Sequence, residues 1–296
     1  MTNYGAAAIS AGSALADVIV PHPAFEAVLQ YVLNAIQVGN QAGIFTGVRV
    51  TAPAGGGKTL LMSYLGDILR RGLSDTGSVP LISASLKEDP SVSQIQGDLL
   101  AKFSYAMASS IQRSRGRANN NDVNQILVSA IKHQGVKVIV LDEFQHVYYS
   151  SGTKVATPVI DWLKRLINAT GVPVVLLGTE MMDSLGAIDP QLTSRVPVAV
   201  KLAHFRLGPE WLGFLKGLAD TCKATDLTPS YKNKEWAGAI FRATSGSPRL
   251  LKALLVQTVL LAVEKEVPSL SAALLRQAYS LQTGACSDEE NPFASL

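Results

Sequence analysis

The chain is predicted to be an α/β protein: a parallel five-stranded sheet flanked by helices, with a small C-terminal helical domain behind it. Three observations predict this. Apolar, β-branched runs alternate with stretches of helical apolar spacing up to about residue 204. The run at 136–144 reads as a strand covered on both faces, and the alternation of strands with helices makes the sheet parallel. From about residue 205 the strand signal stops and four helical stretches follow.

Residues 1–15 are small and polar, and are read as a disordered or docking N-terminal arm. Residues 24–38 show the first helical spacing. The run GIFTGVRVTAP is a buried strand that ends in a glycine-rich turn, and TLLMSYLGDILRR resumes a helical period. VPLISASL (79–86) is the second strand, and residues 91–112 and 121–134 read as helices. Strands at 136–144, 172–179 and 196–202 follow, with a helix at 157–169 before the second of them. The C-terminal helical stretches span roughly 209–223, 233–243, 248–265 and 270–282. The expected domains are an α/β domain over 16–204, a helical lid over 205–283 and an acidic tail over 284–296. That tail is either a flexible end or a partner-binding peptide.

The formal charge of +3 carries no strong global field, so any basic footprint must be local. Cys222 and Cys286 are far apart with no metal-ligand spacing, as expected of free thiols in a reducing cytosol. The N-terminus lacks the basic lead and apolar core of a signal peptide, and no apolar run reaches the roughly 18 residues of a membrane span. A cytoplasmic protein with no membrane partner is expected.

The segment Ala52-Pro-Ala-Gly-Gly-Gly-Lys58-Thr59 follows a strand and opens a helix, which is the context of a phosphate-binding loop. Glycines let backbone N–H groups turn onto phosphate oxygens, and the helix N-terminus adds partial positive charge. The expected ATP-binding set is Ala54, Gly55, Gly56, Gly57, Lys58, Thr59 and Leu60. Lys58 supplies a charge to the β- and γ-phosphates, and the Thr59 hydroxyl is a Mg²⁺ ligand. Ala52 stands where the usual pattern has its first glycine, so strain is expected if that position is left-handed. The strand ending Leu-Asp142-Glu143 carries two carboxylates to a sheet edge that faces ligand. Asp142 is expected to hold Mg²⁺ and Glu143 to polarise the attacking water.

Further segments follow in the order an AAA+ ATPase places them. Gly178-Thr179 ends the fourth strand and is similar to the sensor 1 position. Gln191-Leu-Thr-Ser-Arg195 resembles the box whose arginine reaches a neighbour's nucleotide. Gly246-Ser-Pro-Arg249 resembles sensor 2. The chain therefore resembles an AAA+ P-loop NTPase. With Val20-Pro-His-Pro23, Leu-Asp-Glu-Phe-Gln-His and Leu-Leu-Gly-Thr-Glu, it resembles the TniB/TnsC family of transposition regulators, relatives of MuB. That resemblance implies catalytic roles for Glu143, Thr179, Arg195 and Arg249. It implies an ATP-bound homo-oligomer, a helical filament or ring, on double-stranded DNA. It also implies contacts with a transposase and a TniQ-like targeting protein, with hydrolysis driving disassembly.

The expected DNA-facing residues are Arg113, Arg115 and Arg117, which crowd one polar loop, together with Lys87 just past the second strand. Guanidinium groups suit bidentate phosphate contacts with little sequence preference. Trp162, Trp211 and Trp236 lie in helical stretches and are read as core, and the four histidines show no metal spacing. Two other readings compete: an ATP-driven signalling or secretion-type switch acting on a protein partner without DNA, and a non-hydrolysing scaffold, against which Glu143, Thr179 and Arg195 argue.

Overall fold

The computed structural model describes residues 4–44, 47–72, 78–103, 120–149, 156–185, 189–284 and 290–296. It divides into two compact units. The sheet unit comprises Ala27–Ala54 and Lys58–Leu202; the helical unit comprises Met1–Glu26, Gly55–Gly57 and Ala203–Leu296.

The sheet unit holds β1 (Val48–Thr51), β2 (Leu81–Ser85), β3 (Val138–Asp142), β4 (Val174–Gly178) and β5 (Val198–Lys201). Among the described residues they form one five-stranded parallel sheet in the order β2-β3-β4-β1-β5, as the alternation predicts. β3 and β4 are buried almost throughout because helices cover both their faces. The edge strand β5 is only half-buried. Gly47 leads into β1 where a Cβ would lie 2.7 Å from the Val174 carbonyl oxygen, so only glycine lets the chain enter the sheet there.

Among the described residues the helices of this unit include α3 (Lys58–Arg71), α4 (Val92–Leu100), α5 (Asn120–His133), α6 (His146–Tyr149), α7 (Ala156–Thr170) and α8 (Pro190–Arg195). A further helix, α2 (Pro23–Ala42), belongs to this unit from Ala27 onward. Helix α4 starts where the Ser91 hydroxyl accepts from the Gln94 amide and ends at Leu100; residues 104–112 of the stretch predicted as helix lie outside the described residues. One core joins Ile82, Leu99, Leu127, Ile131, Leu141, Leu163, Leu166 and Leu176 from strands β2, β3 and β4 and helices α4, α5 and α7. Trp162 is buried with them, its indole N–H donating to Asn124 Oδ1 at 2.8 Å.

The helical unit contains α1 (Ala6–Ala16), α9 (Pro209–Thr221), α10 (Pro229–Lys232), α11 (Lys234–Thr244), α12 (Pro248–Glu264) and α13 (Ala272–Thr283). Trp211 fills its core with Leu215, Ile240, Leu254, Leu255 and Leu275, while Trp236 is only half-buried.

Helix α1 lies where the sequence shows no periodic pattern. Its alanines, serines and glycine give no contrast between faces, yet they allow close approach. Gly12 sits against Leu260, where an added Cβ would come within 2.8 Å of that side chain. Ala8, Gly12 and Leu15 are buried, and the Lys252 ammonium donates to the Ala16 carbonyl, favourable at a helix C-terminus.

Residues 290–296 are ordered by the same unit. Phe293 is fully buried, Asn291 donates to the Arg276 carbonyl, and Arg276 donates to the carbonyls of Phe293 and Ala294.

No single helix among the described residues is long and apolar enough to cross a membrane. The bent pair α11 and α12 is apolar taken together, but Ile240, Leu251, Leu254, Leu255 and Val259 are buried in this unit's own core.

Candidate nucleotide site

In the sheet unit the carboxyl ends of β1, β3 and β4 lie side by side. Thr51 pairs with Gly178, and Leu141 with Leu176. The sheet order turns at β1, whose neighbours are β4 and β5, and open parallel sheets bind ligands beyond the strand ends at such a switch point.

The loop after β1 begins with Ala52, whose N–H donates to the Gly178 carbonyl at 2.9 Å, carrying the pairing with β4 one residue past the strand. Ala52 is not among the positive-φ residues, which removes the reason to expect strain from alanine at this position. The left-handed positions are Gly55 (φ 76°) and Gly57 (φ 100°). Gly55 belongs with the helical unit, where a Cβ on it would stand 3.0 Å from Arg249 Cβ and 3.1 Å from Ser247 Oγ. Arg249 itself is exposed in the first turn of α12, which Ser247 caps.

Lys58 opens α3 and is 8% exposed, its Nζ donating to the Ala52 carbonyl at 3.3 Å. Thr59 and Leu60 follow it on the exposed side.

Asp142 and Glu143 end β3. Burial pushes the Asp142 carboxyl above the usual carboxylate range; the Glu143 charge adds to this, while the Glu143 amide and the Lys58 ammonium oppose it. The Glu143 amide donates to Asp142 Oδ1 at 2.8 Å. Glu143 is left-handed, with φ 53°, an uncommon backbone for a non-glycine residue. The strain turns the chain sharply off the strand, so that Phe144 N–H pairs with the Leu177 carbonyl at 2.9 Å.

Two buried hydroxyls at these strand ends, Thr51 Oγ1 and Thr179 Oγ1, have no hydrogen-bond partner among the described residues. An unpaired buried hydroxyl is costly unless something else completes it. The arrangement in the sheet unit suits a nucleoside triphosphate: a lysine charge for phosphates, hard oxygen donors on Asp142 and Thr59 for Mg²⁺, and an unpaired hydroxyl at the end of β4.

Arg195 lies elsewhere in the sheet unit. It ends α8, half-buried, with Nε donating to Asn168 Oδ1 at 3.2 Å and a terminal nitrogen to the Gln191 carbonyl at 2.8 Å. Asp189 caps that helix and pairs with Lys164 at 3.2 Å, while Lys164 also pairs with Asp161 at 2.8 Å. Lys87 is exposed just past β2, and Arg113, Arg115 and Arg117 lie outside the described residues.

The sequence reading missed Gln145. This side chain is 5% exposed and joins Glu143 to Thr179, accepting from the Thr179 amide and donating to the Glu143 carboxylate. A glutamine two residues past a carboxylate pair carries no signal by itself.

The sequence profile described as "Bacterial TniB protein" matches residues 14–205. The chain belongs to the TniB family. No curated protein matches it by sequence. Among solved structures, this TniB-family chain is similar to the ORC2 protein of Aeropyrum pernix in its ADPNP-ADP complexes. The TM-score is 0.66 at 17% identity, covering 93% of this chain and 73% of that one. It is also similar to Cdc6p of Pyrobaculum aerophilum, with a TM-score of 0.66 at 15% identity and coverage of 94% and 72%. A third likeness is to the Aeropyrum pernix ORC1 protein in complex with DNA, with a TM-score of 0.64 at 16% identity and coverage of 92% and 69%. The fold is the AAA+ fold of those ORC and Cdc6 structures, and the family is TniB.

Proposed function

We propose that this TniB-family chain is an ATP-dependent regulator of DNA transposition that selects the target. The observation that carries the ATPase part is the alignment of the β1, β3 and β4 ends, which gathers Lys58, Asp142, Glu143 and the unpartnered Thr179 hydroxyl at one edge of the sheet.

Ala54, Gly55, Gly56, Gly57, Thr59 and Leu60 surround the phosphates with backbone N–H groups, and Lys58 neutralises the β- and γ-phosphates. Asp142 and Thr59 hold Mg²⁺, which neutralises charge developing on the phosphate oxygens. Glu143 orients the attacking water, the Thr179 hydroxyl contacts the γ-phosphate or that water, and Arg249 supports the phosphates as a sensor 2 residue. Arg195 stabilises the transition state in a neighbouring subunit of a homo-oligomer, a filament or ring.

ATP-bound subunits assemble on double-stranded DNA through its phosphate backbone, recruit a transposase and a TniQ-like targeting protein, and disassemble on hydrolysis. Family membership supports this reading, and the ORC1 protein, similar in fold, was solved with DNA.

The test is an electrophoretic shift on long random duplex with and without ATP, for the wild type and for Arg113, Arg115 and Arg117 changed together to alanine. ATP-dependent binding is expected. Each DNA phosphate that the variant no longer neutralises should remove about 0.9 from the slope of log K against log salt, up to roughly 3 per subunit in the triple variant. An unchanged slope would remove that loop from the DNA interface. Absence of ATP-dependent binding in the wild type would replace this reading with a switch acting on a protein partner.

A further inference from the structure

Gln145 stands between two residues of the hydrolytic machinery, and its geometry is over-determined. The Thr179 backbone N–H can only donate, so the Gln145 oxygen must face it, 3.1 Å away. The side-chain NH₂ is thereby forced toward Glu143, and Nε2 donates to Glu143 Oε2. The amide orientation follows from donor and acceptor chemistry alone.

Three further features hold it there. Gln145 is 5% exposed, so neither of its bonds exchanges readily with water. Phe144, the residue before it, is fully buried and tied to the Leu177 carbonyl. Gly178 leaves room for it: a Cβ at Gly178 would come within 2.6 Å of Gln145 Oε1.

From this geometry we propose that Gln145 is the positioning residue for Glu143, clamping the water-orienting carboxylate to the end of β4 so that Glu143 and Thr179 keep one fixed relation. The inference rests on the reading of Glu143 as the group that orients water. A carboxylate on a left-handed residue at the end of a strand has several rotamers open to it. One buried amide that fixes both its direction and its distance from the sensor threonine lowers the cost of reaching the reactive geometry. The clamp acts on the chemical step and leaves phosphate binding to the loop after β1.

The test uses the full chain and four variants. Gln145→Met keeps volume and removes both hydrogen-bonding groups. Gly178→Ala displaces the Gln145 amide without removing it, since the atoms it meets, Gln145 Oε1 and Met182 Sδ, are ends of flexible side chains. The double variant measures coupling, and Glu143→Gln tests the underlying reading.

In the nucleotide-free protein, hydrogen exchange of the Thr179 amide should speed roughly ten-fold or more in both single variants. Loss of a hydrogen bond to a charged group should lower kcat roughly ten- to hundred-fold in Gln145→Met, with affinity for a fluorescent ATP analogue within about threefold of wild type. Gly178→Ala should fall comparably, and the double variant no further than the worse single one. A Gln145→Met protein with kcat within twofold of wild type and unchanged Thr179 exchange would overturn the clamp, as would losses that multiply in the double variant. Should Gln145→Met fail to bind nucleotide, Gly178→Ala decides alone by the same two readouts. Wild-type turnover in Glu143→Gln would instead overturn the reading of Glu143, whatever Gln145 does.

Discussion

Lys58→Ala separates function from stability at this site. Lys58 is a nearly buried cation at the first residue of α3, the end of a helix that carries partial positive charge. The Ala52 carbonyl accepts from its ammonium at 3.3 Å. In the free protein, removing it forfeits a charge-assisted bond that, at this long 3.3 Å distance, falls at the low end of about 1.5–3 kcal/mol. It also relieves an unfavourable charge–dipole contact of about 0.3–1 kcal/mol. The loss exceeds the relief by about 1 kcal/mol, so the melting temperature should fall by only about 2–4 °C.

With a triphosphate bound the balance is different. A charge-assisted hydrogen bond contributes about 1.5–3 kcal/mol, and one unit charge 4 Å from another at an effective dielectric of 20 contributes about 4 kcal/mol. Affinity for ATP should therefore fall roughly 10- to 1,000-fold. Titration with a fluorescent ATP analogue, beside a thermal melt of the free protein, reads both quantities. Affinity within threefold of wild type would refute the assignment of this loop to phosphate. A melting point lowered by 10 °C or more would mean that Lys58 is chiefly a structural residue.

Other predictions concern different parts of the molecule. Mixing Arg195→Ala with Lys58→Ala subunits, each inactive alone, should restore ATPase activity at interfaces that pair an intact Lys58 with an intact Arg195. No recovery at any ratio, with co-assembly demonstrated, would count against a role in the neighbouring subunit. Gly246→Ala places a Cβ 2.2 Å from the Phe205 carbonyl oxygen at a residue with φ 68°, so it should cost more than about 2 kcal/mol and lower the melting temperature by roughly 4–8 °C. A melt unchanged within 1 °C would mean that the backbone yields there freely. The His22 ring lies against Phe205, Phe214 and Phe25, and burial lowers its pKa from the ordinary value near 6.5, with the charges of Glu210 and Glu26 opposing. The unfolded chain then binds the proton more readily, so the stability contributed is full above about pH 6.5 and is lost as pH falls from there through the folded value. The melting temperature should drop between pH 7.5 and 5.5 by less in His22→Asn than in wild type; equal drops would assign the acid sensitivity to other groups.

What the sequence determined by itself is local. The alternation of apolar runs with helical spacing is enough for a parallel five-stranded sheet, because a strand buried on both faces leaves an unbroken apolar run and its crossover leaves a 3.6-residue period. The glycine-lysine-threonine loop and the Asp142-Glu143 pair are legible because each motif is contiguous and is defined by the turn or strand end it occupies. The tertiary structure decided what depends on residues distant in the chain. Ala52 could not be judged until its φ and its bond to Gly178 were seen. The N-terminal helix has no amphipathic pattern because its small residues dock by close approach, and only the surface of α12 makes Ala8, Gly12 and Leu15 a buried face. Phe293 reads as part of a polar tail until Asn291 and Arg276 turn the chain into the core. Gln145 is an ordinary glutamine in the sequence; it becomes a link between Glu143 and Thr179 only because parallel pairing sets the ends of β3 and β4 side by side, within reach of one buried amide.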